Sequence, residues 1–448
     1  MVHTPVEPPP SDNNVMQRSK KSGYHNQKRE LLRISRSIET DHLSKPNLKS
    51  DIQPSNVSVI PSLPKDIKES KSIPLLGKPE LNSTPISSSK QWLPNENAED
   101  PFLILSKDEY HEHHSSIMQC RFNSQGTSIA SCDKDGTVKV WKFEPSPVTI
   151  ATVISRSPFL SVDWHKTASD LLILGTSQGV IKLFDTSSKL DQFDTIIPGN
   201  CPRITQLACH PNGATFATSC VSNLGYEGLR LNNSSPSNPG RVQIWNINES
   251  QITLESSILE CNDRHIECLA YSENGICLAT GDTNGLLTVL DTRTYKVILS
   301  REAHKGPIYT VQFSKDEKFV LTLGADGKFC AWNLASPIEP INLPIHALAG
   351  GPFEVTGFGG YKQVQQPGGG KLFTFEPNGS HVLTCDGTSA VIYDVNLSNA
   401  SMSKVLTLVG HRSPVLSLEW TSSSKCGYCL TGSMDGRLLV TTLLNKLS

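Results

Sequence analysis

Apolar and polar positions alternate in short runs that recur seven times between about residue 114 and the C-terminus. Each unit has an apolar strand, a turn, a second strand ending in Ser or Thr, a tight Asp/Asn-Gly turn, and a third strand ending in an aromatic residue. The fifth unit shows the pattern in full, from His304 through Ile308–Ser314, Phe319–Thr322 and Ala325–Gly327 to Phe329–Asn333. A period of roughly 40–45 residues with such turns is typical of propeller blades. The pattern predicts an all-β fold, a seven-bladed β-propeller.

The spacing inside each unit predicts a hydrogen-bonded network of buried polar side chains. Six residues separate the turn residue from the end of the third strand in five units. This even spacing puts both side chains on one face of the strand. A Ser or Thr before the turn and a His at the entry complete a set that would satisfy polar groups inside a blade. Two units keep all four members: His114, Ser131, Asp135 and Trp141 in the first, and His304, Thr322, Asp326 and Trp332 in the fifth.

The closure of the ring is also predicted by the pattern. The last unit, His411–Leu444, supplies only three strands, and the segment Phe102–Leu105 precedes the first unit. Joining the two ends removes an exposed strand edge and locks a propeller. We therefore expect Phe102–Leu105 to form the outer strand of the last blade.

Two connections are much longer than the others. Val221–Gly240 lies between the second and third strands of the third blade, and Ile345–Gly370 precedes Lys371–Phe375, the first strand of the sixth. In a propeller these two kinds of connection emerge on the same face, which marks that face as the expected functional surface. Aromatic residues are enriched at binding hot spots, although Tyr361 would also suit the packing of its own loop. The candidate partner-binding residues in the second insert are Tyr361, Lys362 and Gln363.

Residues 1–100 have a different composition from residues 101–448. They contain 12 of the 29 prolines, no Phe, 14 basic and 12 acidic side chains. Such a segment buries too little apolar area to offset its chain entropy, so it is predicted to be a disordered low-complexity tail. Gln27–Leu43 is the exception, because its apolar positions would share one face of a short helix. The expected organisation is a tail over 1–100 and the propeller over 101–448.

Net charge and cysteine content limit which classes of binding partner and which cellular compartment are expected. The net charge of −2 gives no reason to expect binding to nucleic acid. No apolar run approaches the ~20 residues of a membrane span, and the N-terminus lacks the features of a signal peptide. All twelve cysteines follow residue 119 in a scatter that favours a reducing, cytoplasmic compartment over a disulfide framework.

Three motifs suggest chemistry, and in each case a structural interpretation is favoured. Cys426-Gly-Tyr-Cys429 supplies half of a zinc site, and the histidines of His111–His114 need further ligands placed by the fold. Gly368–Lys371 resembles a phosphate-binding loop, but Leu372 replaces the required Ser/Thr and a strand is predicted where a helix should follow. No catalytic constellation is visible. The sequence therefore predicts a protein that is not an enzyme, with no cofactor and no metal.

Several stretches beyond the generic blade pattern resemble the WD repeat-containing protein 91 family. They lie at the propeller entry, at the first tight turn, in the second insert and in the last blade: Glu112–Met118, Asp133–Phe143, Gly351–Gln365, Gly410–Val415 and Cys426–Gly436. The resemblance covers the propeller half and implies a WD-repeat β-propeller. Family members carry a LisH-type helical segment and a coiled coil ahead of the propeller, and residues 1–100 depart from that pattern. Docking through the propeller is thus implied more directly than dimerisation or lipid-kinase control.

The resemblance implies a non-enzymatic endosomal trafficking adaptor. It would be an effector of the late-endosomal Rab GTPase and act with WD repeat-containing protein 81. It would also restrain the Beclin-containing class III phosphatidylinositol 3-kinase complex during early-to-late endosome conversion. The implied location is the cytoplasm, with peripheral attachment to early and late endosome membranes through partners.

Propellers serve many functions, so fold alone does not decide among them. A substrate receptor of a ubiquitin ligase, a chromatin reader or another generic scaffold is the alternative. A propeller enzyme ranks last, because the sequence shows no catalytic constellation.

Overall fold

A computed structural model describes residues 101–198, 202–222, 240–248, 251–261, 264–336, 340–343, 369–422 and 426–446. The predictions of a disordered tail over 1–100 and of a short helix over 27–43 lie outside the described residues. Within the part of the chain that is described, no helix has the length and apolar character needed to cross a membrane.

The described residues form twenty-eight strands in seven antiparallel sheets of four, which confirms the seven-bladed β-propeller. Blades 1 to 6 each use four consecutive strands. Blade 1 consists of β2 (Ile117–Phe122), β3 (Ser128–Asp133), β4 (Val138–Lys142) and β5 (Val148–Val153). Blade 2 consists of β6 (Phe159–Trp164), β7 (Leu171–Thr176), β8 (Val180–Asp185) and β9 (Leu190–Ile196). Blade 3 consists of β10 (Arg203–Cys209), β11 (Thr215–Val221), β12 (Gly240–Asn248) and β13 (Gln251–Cys261).

The second half of the ring continues the same order. Blade 4 consists of β14 (Ile266–Tyr271), β15 (Cys277–Asp282), β16 (Leu286–Asp291) and β17 (Val297–Glu302). Blade 5 consists of β18 (Ile308–Phe313), β19 (Phe319–Gly324), β20 (Phe329–Asn333) and β21 (Ile341–Leu343). Blade 6 consists of β22 (Phe373–Phe375), β23 (His381–Asp386), β24 (Ser389–Asn396) and β25 (Ser401–Leu408). Blade 7 consists of β26 (Val415–Ser422), β27 (Cys426–Ser433), β28 (Leu438–Asn445) and β1 (Phe102–Tyr110).

Blade 7 joins the two ends of the propeller, as the sequence predicts. Strand β1 pairs antiparallel with β28, with Phe102 opposite Asn445 and Tyr110 opposite Leu438. The strand is longer than the predicted Phe102–Leu105 and contains a register shift between Ile104 and Ser106. The ring is therefore closed by hydrogen bonds between segments that lie more than 300 residues apart in the sequence.

Burial decreases from the inner strands to the outer strands, and the residue types follow this gradient. All six residues of β3 are buried, because neighbouring blades cover both of its faces. The outer strand β9 is mostly exposed and carries three Asp or Gln side chains. A buried second strand that ends in Ser131 and Asp133 must find partners for these polar groups, because an unpaired buried polar group is costly.

The tight turns between second and third strands need glycine for a steric reason. Gly136 has a φ of +79°, and a Cβ added there would lie 2.4 Å from Cα of Pro158. Only glycine adopts this conformation at no cost and also permits so close an approach. The turn of blade 1 is thus pressed against the segment that enters blade 2.

Candidate functional site

Two kinds of connection meet on one face of the propeller. In five blades, the residue that follows the second strand donates its backbone N–H to a carbonyl just before the first strand of the same blade. The donor–acceptor pairs are Lys134–Ser116 at 2.8 Å, Ser177–Pro158 at 2.9 Å, Thr283–His265 at 3.0 Å, Ala325–Pro307 at 2.8 Å and Met434–Pro414 at 2.9 Å. We call the face formed by these turns and entry segments the turn face.

Both long inserts begin and end at the turn face. The first connects β11 to β12, whose ends pair at Val221 and Gly240, and so joins a second strand to a third. The second leaves blade 5 after Leu343 and returns before β22 of blade 6. Both positions agree with the sequence prediction. Residues 223–239 and 344–368 lie outside the described residues, and with them the candidate contacts Tyr361, Lys362 and Gln363.

The second insert returns at the mouth of the central channel. A Cβ added to Gly370 would lie 2.0 Å from the carbonyl oxygen of Leu416 and 2.8 Å from that of Met118. Its neighbour Gly369 has a φ of +127° and lies against Gln119. The chain thus re-enters the propeller beside the inner strands of blades 7 and 1, and glycine is needed for the approach.

A four-member network holds the turn face of blade 5. His304 Nε2 lies 2.8 Å from Thr322 Oγ1, and the same hydroxyl accepts a hydrogen bond from Trp332 Nε1 at 3.2 Å. His304 Nδ1 lies 2.8 Å from Asp326 Oδ1. Burial lowers the pKa of His304, and the carboxylate of Asp326 opposes this effect only in part. These are the four residues that the sequence pattern groups together.

In blade 1 the network has two members that differ from the predicted ones. His113 takes the place predicted for His114, with its Nε2 2.7 Å from Ser131 Oγ and its Nδ1 2.8 Å from Asp133 Oδ2. Trp141 Nε1 donates to Ser131 Oγ at 2.8 Å. The predicted His114 and Asp135 are exposed and take no part in it.

The difference between blades 1 and 5 has a physical cause at the end of the second strand. Blade 5 has Gly324 two residues after its hydroxyl residue, and a Cβ there would lie 2.4 Å from Cγ of His304. Blade 1 has Asp133 at the same place, and its carboxylate reaches His113 directly while also accepting the N–H of Thr137 at 2.9 Å. Because Asp133 satisfies the histidine, Asp135 is left in the turn.

The histidines of blades 7 and 4 make smaller sets of contacts. His411 Nε2 lies 2.7 Å from Thr431 Oγ1, and among the described residues His411 Nδ1 has no hydrogen-bond partner. His265 Nε2 lies 2.9 Å from Glu267 Oε1. In the described part of the chain His265 forms no hydrogen bond with Thr280, whose hydroxyl donates to the carbonyl oxygen of Thr288. Complete networks of the predicted type therefore hold the turn face in blades 1 and 5.

The central channel carries charges of alternating sign along one arc of the ring. The inner segments of consecutive blades contribute, in order, Lys371, Glu419, Arg121 and Asp163, and Lys166 follows in the next turn. A cavity of about 340 Å³ lies between these strands and those of blades 3 to 5. The repeat pattern of the sequence does not predict this arc. Its members come from four blades, so only the assembled ring brings them together.

Each carboxylate of the arc links two blades and binds one lysine. Asp163 Oδ2 accepts the backbone N–H of Cys209 at 2.9 Å, and its Oδ1 lies 3.2 Å from Lys166 Nζ. Glu419 accepts the N–H of Phe122 with one oxygen and binds Lys371 Nζ at 3.0 Å with the other. Burial alone would raise the pKa of Asp163, but Lys166 and Arg121 hold it below its usual value. The two carboxylates are thus fully occupied in holding the ring together.

The motifs that suggest metal or nucleotide chemistry have structural surroundings. Cys426 and Cys429 both lie in β27, and their odd spacing directs the two side chains to opposite faces of the strand. Lys371 binds Glu419 and is followed by strand β22 instead of a helix. In the described segments no group of three or more His, Cys, Asp or Glu side chains is placed to hold a metal ion.

Eight of the described cysteines are buried, while Cys277 and Cys426 are half-buried. Burial raises the pKa of Cys120 to about 12 and that of Cys330 to about 11. A reactive cysteine needs a lowered pKa, because the thiolate is the attacking form. These side chains are better described as small apolar residues of the core.

Comparisons with known proteins agree with this architecture. Residues 106–142, 295–333 and 402–440 match the family described as WD domain, G-beta repeat. In solved structures, the Cps50 (Swd1) β-propeller domain of Myceliophteria thermophila superimposes with a TM-score of 0.53 at 18% identity. The superposition covers 76% of this chain and 99% of that domain, which supports the fold alone.

Curated relatives share one name. WD repeat-containing protein 91 of Danio rerio is 41% identical over 348 residues, which are 78% of this chain and 48% of the relative. The Gallus gallus protein of that name is 40% identical over 357 residues, covering 78% and 47%. A homolog from Dictyostelium discoideum is 30% identical over 354 residues, covering 78% and 41%. The chain spans about half the length of the curated relatives it matches. Over the residues that carry this match, the chain belongs to the WD repeat-containing protein 91 family.

Proposed function

We propose that this chain is a non-enzymatic endosomal trafficking adaptor that docks the late-endosomal Rab GTPase in its GTP-bound form on the turn face. The observation that carries the proposal is that both long inserts begin and end on that one face. WD-repeat propellers generally mediate protein–protein interactions, and rigid scaffolds commonly present their binding residues on loops. The networks of blades 1 and 5 hold the turns of those two blades in place on the same face.

The proposed role extends to the other partners implied by the family. Through the same propeller the chain would act with WD repeat-containing protein 81 and restrain the Beclin-containing class III phosphatidylinositol 3-kinase complex. It would do so in the cytoplasm, attached peripherally to early and late endosome membranes through these partners. Support for this part comes from membership of the WD repeat-containing protein 91 family.

A docking role also suits the chemistry of the described propeller. WD-repeat propellers are generally non-enzymatic. The channel carboxylates Asp163 and Glu419 each bind a lysine and a backbone N–H of the next blade, so neither is a free general base. The expected mechanism is recognition of a partner by a preformed surface.

Nucleotide-dependent binding tests the proposal. The whole chain is immobilised, and the late-endosomal Rab GTPase is passed over it loaded with either a GTP analogue or GDP. We expect the GTP form to bind at least about tenfold more tightly, a difference of about 1.4 kcal/mol. Equal binding of both forms, or no binding of either, would contradict the proposal and favour the ubiquitin-ligase receptor.

The paired change Tyr361→Ala and Lys362→Ala locates the contact. It should weaken binding of the GTP form, because it removes an aromatic side chain and a charge from the second insert. Lys315→Ala is the matched control, since Lys315 is an exposed residue in a turn on the opposite face. An equal effect of the two changes would argue against docking on the turn face.

A further inference from the structure

The charges of the arc are unequal, and Arg121 is the surplus, because Glu273, a further acidic residue that lines the cavity, binds Lys315. Lys166 binds Asp163 and Lys371 binds Glu419, at 3.2 and 3.0 Å. Among the residues that the structure describes, no carboxylate lies within ion-pairing distance of the Arg121 guanidinium. Its Nη1 donates a hydrogen bond to the carbonyl oxygen of Cys120, at 2.9 Å. Arg121 is only 6% exposed, so a permanent charge is buried against the cavity without a counter-ion of its own.

The surroundings of the surplus charge favour an anion. A buried charge is costly unless it is paired. Arg121 lies between Glu419 and Asp163 along the arc, but each of these carboxylates already binds a lysine. Burial lowers the pKa of Lys371 even though Glu419 opposes the effect, so an added anion would stabilise the protonated lysine. The side chains of Lys166 and Lys371 are 38% and 33% exposed, which shows that solvent reaches the lysine side of the cavity.

A second feature of the same cavity favours a phosphate ester over inorganic phosphate as the ligand. Gln312 lines the cavity, and its buried Oε1 has no hydrogen-bond partner among the described residues. A carbonyl oxygen accepts hydrogen bonds and cannot donate them, so the group that satisfies it must carry an O–H or N–H. The cavity therefore presents cations on one side and an unsatisfied acceptor on another.

We propose that the central channel binds a small, soluble phosphate monoester that carries hydroxyl groups. Its phosphate would lie against Arg121, whose planar fork matches two phosphate oxygens, with the two channel lysines as supporting charges. A hydroxyl group of the ester would donate to Gln312 Oε1. The volume of about 340 Å³ is within the range of small-molecule sites.

Calorimetric titration of the whole chain tests the channel site, with inorganic phosphate, myo-inositol 1-phosphate and myo-inositol as probes in a phosphate-free buffer. We expect inorganic phosphate to bind, the ester to bind more tightly, and myo-inositol to give no signal. Arg121→Gln should weaken both phosphate probes by about tenfold or more, because it removes charge-assisted hydrogen bonds. Arg301→Gln removes the same charge from an exposed position on β17 and should leave both affinities unchanged.

Two further variants keep the test decisive should Arg121→Gln fail to fold. Arg121→Lys retains the charge but loses the fork, so phosphate binding should fall by a smaller factor. Gln312→Leu should remove the advantage of the ester and leave inorganic phosphate unaffected. The proposal is overturned if neither phosphate probe binds the wild-type chain. It is also overturned if Arg121→Lys, like the control Arg301→Gln, binds inorganic phosphate as tightly as the wild type.

The channel site and the proposed GTPase docking are independent of each other. The titration uses no protein partner, and the GTPase experiment needs no phosphate ester. Failure of one therefore leaves the other standing.

Discussion

At the scale of single residues, the hydroxyl of Thr322 satisfies two buried side chains at once. It bonds His304 Nε2 at 2.8 Å and Trp332 Nε1 at 3.2 Å, and it is fully buried. Both nitrogens would be left unsatisfied if the hydroxyl were lost, and an unsatisfied buried group costs more than a typical hydrogen bond contributes.

Replacing Thr322 by Val keeps the shape of the side chain and removes the hydroxyl. We expect Thr322→Val to lower the free energy of unfolding by about 2 kcal/mol, since a buried donor, Trp332 Nε1, and a buried acceptor, His304 Nε2, both lose their partner. Denaturant unfolding of the whole chain measures this change. Thr152→Val, at an exposed position on the outer strand β5, is the control and should shift the midpoint little. Equal shifts for the two variants would show that the network adds nothing to stability.

Gly370 allows a second prediction at this scale. Gly370→Ala should destabilise the chain by about 1–3 kcal/mol, because the added methyl group collides with the backbone of Leu416. Gly387→Ala is the control, since its Cβ would meet nothing within 4 Å and carries only the conformational cost of a φ of +59°. Thermal melting distinguishes the two, and a smaller loss for Gly370→Ala than for Gly387→Ala would contradict the geometry.

The buried histidine of blade 5 predicts a dependence of stability on pH. Burial lowers the pKa of His304 below its ordinary 6.5, with Asp326 raising it and Lys328 lowering it further. Below about pH 6.5 the unfolded chain takes up a proton that the folded chain resists, so stability falls as pH falls. The melting temperature should drop between about pH 7.5 and pH 5.5, and His304→Gln should reduce that slope. Identical slopes for wild type and variant would refute this assignment.

The prediction of His114 and Asp135 in blade 1 was wrong, and a spacing shared by two blades shows how one of the two could have been placed correctly. The histidine precedes its hydroxyl partner by 18 residues in both complete networks, His113 to Ser131 and His304 to Thr322. That spacing would have selected His113 over its neighbour. Spacing alone does not favour Asp133 over Asp135, because both positions place a carboxylate on the correct side of the strand.

At the scale of elements, ring closure depends on the contacts at the start of β1. Phe102 is 5% exposed, and its ring packs edge-on against Trp420 at 5.7 Å and His381 at 4.8 Å. It therefore joins blade 7 to a histidine of blade 6. The neighbouring Leu103 is 47% exposed and makes a natural comparison.

We expect Phe102→Ala to lower the free energy of unfolding by about 3–5 kcal/mol, since it opens a cavity where the ring closes. Leu103→Ala should change it by less than about 1 kcal/mol, as surface substitutions usually do. Chemical unfolding of both variants supplies the comparison. A Phe102→Ala chain as stable as the wild type would mean that β1 does not hold the ring together.

The elements were largely predictable because each has a local signal. The period of the repeat, the tight turns and the three-strand last unit predicted the blades and their closure. The full length of β1 was missed because residues 106–110, Ser-Lys-Asp-Glu-Tyr, have the polar pattern of an outer strand, which resembles a loop.

At the scale of the whole molecule, the charged arc exists only after ring closure. Lys371 and Glu419 lie 48 residues apart in the sequence, and Phe122 and Glu419 lie 297 residues apart. Nothing local distinguishes these charged residues from ordinary surface ones, so the charged channel could not be predicted from sequence patterns. The location of the turn face was predictable, because it follows from the order of strands within each blade.

Hydrogen exchange of the whole chain, with and without the GTP-loaded late-endosomal Rab GTPase, tests the central claim most directly. Docking on the turn face predicts slower exchange in the turns 134–137, 325–328 and 434–437 and in the second insert. Exchange at the opposite-face turns 123–126, 272–275 and 314–317 should stay unchanged. Protection confined to those opposite turns, with none on the turn face, would contradict the account.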